Sequence, residues 1–428
     1  MNGSGGHAYE EIRRRAVALV EERRIDPQAD RERARSLIGG AVDEYQRRAH
    51  AGGGRALRNA GEMVDRVLRS LVEYGPLTEV LARSDVEEVF IEGSRVSLID
   101  GTGRLRLLDE PTTEGENRQV VQRLLAGTDR HLDAANPIVQ ARVLDGTARL
   151  TAVIPPISDQ LSATLRRYAL RKETLASLVE LGAMTTAAAG FLWAAMQTAS
   201  SVLISGPPGA GKTSLLSALL NASPTHHCIR CCEEVRELHV PLVHGSFYEA
   251  RPPGLDGTGE ISLRDLVKVV LAMRPDRIVV GEVRSAEAFE LTRAVNAGCG
   301  FACTIHANSA RDALMALVNA ALMAGENVEE RVVRRVFAAT LDLVIHLDRE
   351  MRRDTETGLR RQVMEVLAVV PSLHDDFSTG PIFARPRLDA PLEWTGALPP
   401  DDLVERIDRS LPASIRLRHI LEGRVNVL

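Results

Sequence analysis

The chain has 428 residues, too many for one compact core, and its 44% hydrophobic and 26% charged residues are ordinary for a globular protein. A net charge of −5 and only 4% aromatics argue against the basic, ring-lined surfaces that bind nucleic acid. No apolar run reaches the ~18–20 residues that span a bilayer, so any membrane association is expected to be peripheral and mediated by partners.

Residues 1–60 read as a charged helical or flexible leader, with a helical stretch from Tyr9 to Arg24 and a break at Gly52-Gly53-Gly54. Residues 61–172 read as an α+β domain. Val64 to Leu71 has helical spacing, Tyr74-Gly75-Pro76-Leu77 is a turn, and a short helix runs to Leu81. Val86 to Glu92 and Arg95 to Asp100 alternate as strands, and Gln119 to Ala126 is helical. Arg142 to Leu144 and Ala148 to Ile154 form a hairpin about Asp145-Gly146 that ends at Pro155-Pro156. Residues 173–185 read as a linker.

From 186 to 375 strands alternate with helices, the signature of a parallel α/β sheet. The strands are Val202–Ser205, Cys228–Cys232, Arg277–Val280, Ala302–Ile305 and Leu343–Leu347. The helices are Lys212–Leu220, Leu263–Met273, Glu287–Ala297, Ala310–Met323 and Arg331–Thr340. Residues 376–428, rich in Pro and Asp, read only as a tail. The five cysteines are an odd count with no secretory leader, which suits a reducing cytoplasm. His226-His227-Cys228 followed by Cys231-Cys232 lacks a second ligand pair and reads as a buried strand, not a metal site.

Gly206-Pro207-Pro208-Gly209-Ala210-Gly211-Lys212-Thr213 matches G-x-x-x-x-G-K-[ST] at every fixed position, and Ser214 follows it. It sits between an apolar strand and a helix, where curled backbone N–H groups and the helix N-terminus together attract phosphate. The pattern assigns Lys212 to the β- and γ-phosphates of ATP and the Thr213 hydroxyl to Mg²⁺. Lys212 is one of only three lysines beside 50 arginines, so its presence in a Gly-rich loop is informative. The apolar strand Arg277–Val280 leads through Gly281 to Glu282. Alone this glutamate would read as a solvated strand end. After a phosphate loop, the strand is expected beside the loop strand, with Glu282 facing the γ-phosphate and available to Mg²⁺ or the attacking water.

With Arg264-Asp265-Leu266-Val267 and Met273 through Arg284, these residues resemble the secretion ATPases of type II and type IV systems, most closely the CpaF/Tad (tight adherence) branch that drives Flp-type pilus assembly. The resemblance runs from about Tyr74 to about Leu347. It implies a RecA-like P-loop NTPase C-terminal domain behind a smaller α+β N-terminal domain. It places an acidic box at Glu233-Glu234-Val235-Arg236-Glu237, an atypical Walker B at 276–282 and a His box from Gly298-Cys299-Gly300 to Thr304-Ile305-His306-Ala307-Asn308. The implied roles are Mg²⁺ and water handling for Glu233, Glu234, Glu237 and Glu282, with Glu237 the leading acidic-box candidate, direct or through water. His306 would sense the γ-phosphate or a neighbouring subunit. Asp145-Gly146-Thr147 with Arg149, Ile154-Pro155-Pro156 and Thr164 through Tyr168 resemble the family's first domain, implying nucleotide contacts from Arg142, Arg149 and Arg166. Two departures stand out. Glu234 replaces the usual Asp, and Cys299 replaces a His whose positive charge it cannot carry.

The reading implied is an ATP- and Mg²⁺-dependent motor subunit. It would be a homo-oligomer, by resemblance a hexamer, in the cytoplasm, peripheral to the inner membrane through a platform protein, with no direct nucleic-acid contact. Alternatives are a conjugation, type IV secretion or retraction motor of the same family, and a RecA-like nucleic-acid translocase. A scaffold in which ATP only fixes assembly is a third. DNA-stimulated turnover would favour the translocase, and binding without turnover the scaffold.

Overall fold

In a computed structural model the described residues are 3–53, 55–101, 103–167, 173–238, 240–253, 257–296, 298–325, 327–351, 359–371, 377–387 and 390–428. Gly54, Tyr168 and Ala297, included in the sequence reading, lie outside them. The chain divides into two compact units, Met1–Ala169 and Leu170–Leu428.

The first unit opens with α1 (Gly3–Glu22), α2 (Arg31–Arg48) and α3 (Ala60–Val72). Asp30 and Asn59 cap α2 and α3 by accepting the Arg33 and Glu62 backbone N–H groups. Tyr9, Ile12 and Ala16 of α1, Ala34, Ile38, Val42 and Tyr45 of α2, and Val67 and Leu68 of α3 share one core. Their i, i+3, i+4 spacing gives each helix a single apolar stripe. Residues expected as a leader are therefore packed helices whose apolar stripes meet.

After α4 (Leu77–Ala82) come β1 (Val86–Glu92), β2 (Arg95–Asp100), β3 (Leu105–Leu107), α5 (Glu114–Leu125), β4 (Ile138–Val143), β5 (Ala148–Val153) and β6 (Ser162–Arg167). The strands form an antiparallel sheet in the order β3-β2-β1-β6-β5-β4. Val120, Val121, Leu124 and Leu125 of α5 share a core with Val89, Leu150 and Leu165 of the sheet. Strand alternation sends the intervening residues to the other face. There Arg142 pairs with Arg149, and Arg149 with Arg166, in one cross-strand row.

The second unit begins with α6 (Leu175–Glu180) and α7 (Thr186–Met196). It continues through β7 (Val202–Ser205), α8 (Lys212–Asn221), β8 (Ile229–Glu233), β9 (Gly245–Glu249), α9 (Leu263–Leu271) and β10 (Arg277–Val280). Then come α10 (Glu287–Asn296), β11 (Gly300–Ile305), α11 (Ala310–Leu322), α12 (Glu330–Thr340), β12 (Leu343–Met351), β13 (Leu359–Val370), β14 (Ser378–Ala384), β15 (Glu393–Trp394), α13 (Asp401–Ser410) and α14 (Leu417–Leu421). One nine-stranded sheet has the order β15-β14-β13-β12-β7-β11-β10-β8-β9. From β12 to β9 neighbours are parallel, and β13 to β15 add an antiparallel wing. Every residue of β7, β10 and β11 is buried, as a sheet covered by helices on both faces requires.

Three expectations change here. The stretch expected as a linker contains α6, whose Leu175 and Leu178 enter the same core as β7 and α8. The stretch expected as a tail supplies β14, β15, α13 and α14, and Ile382, Phe383, Leu403, Ile407 and Leu417 join that core. Third, β10 is not beside the loop strand. β11 lies between β7 and β10, so the Glu282 strand is one position further out than expected.

Helix α13 is also tied down by charge. Arg406 pairs with Asp342, whose other oxygen accepts the Ser201 N–H at 2.8 Å. Burial pushes the Asp342 carboxyl above the usual carboxylate range against the pull of Arg406. Arg406→Ala would strand that buried carboxylate. We expect it to cost ~1–3 kcal/mol in denaturant unfolding with the m-value unchanged, and an undiminished midpoint would show that the pair is dispensable.

Candidate functional site

The C-terminal ends of β7, β11 and β10 and the turn leading into α8 bring the motif residues together. Gly206 takes φ +153°, Gly209 +73° and Gly211 +93°, conformations that L side chains rarely adopt. A Cβ on Gly206 would collide with the Leu347 carbonyl oxygen of β12, so only glycine lets the loop pass. The result is a curled backbone opening α8, whose N-cap is Gly211, with Thr213 half-buried and Ser214 exposed at its first turn. This shape fits phosphate, since N–H groups of the turn and helix end have no intrahelical acceptors.

Lys212 is buried, and its Nζ donates to the carbonyls of Gly206 (2.9 Å) and Pro207 (3.2 Å). It also meets His306 Nδ1 at 3.1 Å. His306 follows β11, the strand between the loop strand and the Glu282 strand. Its Nε2 lies 2.5 Å from Glu282 Oε1, without the alignment of a hydrogen bond. The histidine thus bridges the interposed strand and links Lys212 to Glu282.

The acidic box divides. Glu233, at the end of β8, is buried and accepts the N–H groups of Glu237 (3.1 Å) and Leu238 (3.2 Å), closing the loop that follows. A Cβ on Gly281 would meet Glu233 Cγ at 2.7 Å, so the glycine before Glu282 makes room for it. Burial pushes the Glu233 carboxyl up to about 7. Glu234 is exposed and pairs with Arg284 at 3.1 Å. Glu237 is half-buried. Among the described residues no cluster of three or more His, Cys, Asp or Glu stands ready for a metal.

The remaining motif positions lie elsewhere. Asp276 is at the start of β10, where its carboxylate accepts the Cys228 N–H at 2.7 Å. Cys299 is buried just before β11, at the strand end opposite His306. Arg277 is fully buried and donates to the Thr198 and Ser200 carbonyls and the Ser223 hydroxyl. Burial pushes its guanidinium down to about 10.

Sequence reading gave no role to three arginines that the structure brings to the site. Arg284 bonds Glu282 through Nε (3.0 Å) and Nη2 (2.5 Å) while also pairing with Glu234. Arg361 Nε donates to the Gly209 carbonyl at 3.0 Å, and a Cβ on Gly209 would meet Arg349 Nη1 at 2.7 Å. Among 50 arginines nothing in sequence spacing distinguishes these.

Residues 89–374 match the family described as Type II/IV secretion system protein, well over half of the chain. The chain belongs to that family. A putative conjugal transfer protein of Mycobacterium tuberculosis is 33% identical over 323 residues, covering 73% of this chain and 91% of that protein. The type IV secretion system protein PtlH of Bordetella pertussis is 29% identical over 273 residues, 56% of this chain and 76% of that one. The structure of the ATPase DotB from Yersinia pseudotuberculosis aligns with a TM-score of 0.51 at 16% identity, over 69% of this chain and 78% of DotB. The expected fold class, a RecA-like α/β unit behind an α+β unit, is borne out.

Arg284 pairs with two carboxylates beside the loop, Glu282 and Glu234. Arg284→Ala would remove the cation from both and leave Glu282 with only its His306 contact. We expect ATP affinity without Mg²⁺ to fall about 2–5-fold, the scale of an exposed ion pair, and Mg²⁺ to narrow the gap. Titrations with and without Mg²⁺ check this, and a rise in affinity would contradict it.

Proposed function

We propose that this protein is an ATP-hydrolysing, Mg²⁺-dependent motor subunit of a type II/IV secretion or Tad-type pilus assembly system. The observation that carries the reading is the contact path from Lys212 through His306 to Glu282 across the mouth of a phosphate-shaped loop. When bound, Mg·ATP supplies the phosphoanhydride and the charge that the cation offsets. The protein's part is to hold and orient. Lys212 and the loop N–H groups bind the β- and γ-phosphates. Glu282 would position or deprotonate the attacking water, and Glu237 would help hold the cation, directly or through water. His306, touching both Lys212 and Glu282, reports whether the γ-phosphate is present.

The row Arg142, Arg149 and Arg166 supports a further part of the reading. Three guanidiniums stand in one cross-strand row, with Glu88 3.8 Å from Arg166, and such a concentration of planar donors suits an anion. We assign the row to nucleotide phosphates in a homo-oligomer, a hexamer by family resemblance. Such a ring would work at the inner face of the membrane through a platform protein. Among the described residues no helix is long and apolar enough to cross a membrane.

The Tad assignment rests on the motif resemblance. A second reading, a conjugation or type IV secretion motor, is favoured by the 33% identity to a protein named for conjugal transfer. Steady-state ATPase assays on the purified chain, alone, with DNA and with membranes containing a candidate platform protein, test the proposal. Stimulation by the platform membranes is expected. No turnover under any condition would sink the motor reading, and stimulation by DNA alone would replace it with a translocase.

A further inference from the structure

The β12–β13 pair runs past the phosphate loop and carries an unusual charge pattern. Glu350 is opposite Arg360, a complementary pair. The next position sets Arg349 opposite Arg361, two guanidiniums side by side. Like charges in this arrangement repel. Both point at the loop: Arg361 Nε reaches the Gly209 carbonyl at 3.0 Å, and its Cδ lies 3.7 Å from where a Cβ of Gly211 would stand. Arg349 Nη1 sits against Gly209, 2.7 Å from where that residue's Cβ would be. Arg349 is exposed, and its guanidinium has no hydrogen-bond or ion-pair partner among the described residues.

The loop already concentrates positive potential through its N–H groups, the N-terminus of α8 and Lys212. Two further guanidiniums beside the loop add donors that an anion held there can take up in charge-assisted bonds. The planar fork of a guanidinium matches phosphate oxygens two at a time, which a point charge cannot do.

We propose that Arg349 and Arg361 form a guanidinium clamp, supplied by the β12–β13 pair, on the phosphate chain of a nucleotide held by the Gly206–Thr213 loop. The clamp rests on the reading of that loop as a nucleotide site. It deepens the reading by adding two positioning residues that lie outside every motif box.

The test is ADP binding to the full chain by calorimetry, with nucleotide-free thermal unfolding measured in parallel. Arg349→Ala and Arg361→Ala should each weaken ADP binding about tenfold or more, the scale of a lost charge-assisted bond. Arg349→Lys should recover part of the loss. Nucleotide-free Arg349→Ala should melt no lower than the parent by more than the loss of a surface side chain's packing, because it gives up no side-chain hydrogen bond or ion pair among the described residues. Lys212→Ala is the control for the site itself. If it loses affinity while Arg349→Ala stays within about twofold of the parent, the clamp is overturned and the nucleotide site stands. Weakening by Arg361→Ala alone would also overturn the clamp, leaving Arg361 as a brace on the Gly209 carbonyl. If Lys212→Ala too binds ADP unchanged, the nucleotide-site reading falls with it.

Discussion

Lys212→Ala is expected to reduce ATP turnover by at least ~10²–10³-fold, the loss that follows removal of one preorganised donor to developing charge. The side chain is buried, and its ammonium is held by the Gly206 and Pro207 carbonyls and by His306 Nδ1. These partners hold the charge at the mouth of the loop, so little reorganisation is needed for it to meet a phosphate. Alanine removes the charge and leaves His306 Nδ1 facing a gap. Arginine would keep the charge but not fit the space between two carbonyls and an imidazole, so Lys212→Arg should also be strongly impaired. Turnover of Lys212→Ala within about tenfold of the parent would end the assignment of this loop as the hydrolytic site.

Glu282→Gln is expected to keep nucleotide binding and lower turnover by about 10²–10⁴-fold, the range for loss of a positioned general base. The substitution changes little volume and removes one negative charge. Glu282 is engaged on both sides, by His306 at Oε1 and by Arg284 at Oε2. Loss of the charge loosens both contacts, so ATP affinity should be equal or somewhat higher. Single-turnover kinetics at saturating ATP separate the outcomes. Weaker binding with an unchanged rate constant would show that Glu282 serves affinity and not chemistry.

What could be read in the sequence followed from local pattern. The loop's glycines, lysine and threonine are set by the backbone's own needs around phosphate, so strand, turn and helix were legible together. Strand adjacency was not, because chain order does not state which strands neighbour one another. β11 comes later in the chain than β10 yet inserts between it and β7. That placement makes His306 a bridge, which no spacing implied. The wing was also hidden: β14 contains Gly380 and Pro381, residues that punctuate turns, and β15 has only two residues. In α2 the stripe of Ala34, Ile38, Val42 and Tyr45 is present in the sequence, but a stripe does not say which other helices it meets, so the packing of 1–60 was not legible. Arg349 and Arg361 needed the register of β12 against β13 before they could be noticed at all.

The Leu347 carbonyl pressed against Gly206 joins two things usually treated apart. β12 belongs to the same hydrogen-bonded ladder as β13 and β14, so the shape of the loop and the integrity of the wing are parts of one opening equilibrium. A ligand that favours one arrangement of the loop must, by mass action, lower the population in which the wing's ladder is broken. The amide protons of β13 and β14 are therefore expected to exchange with solvent more slowly in the presence of nucleotide, although the ladder itself need not touch the ligand. By the same reciprocity, a partner that grips the wing changes how tightly the loop holds its phosphate.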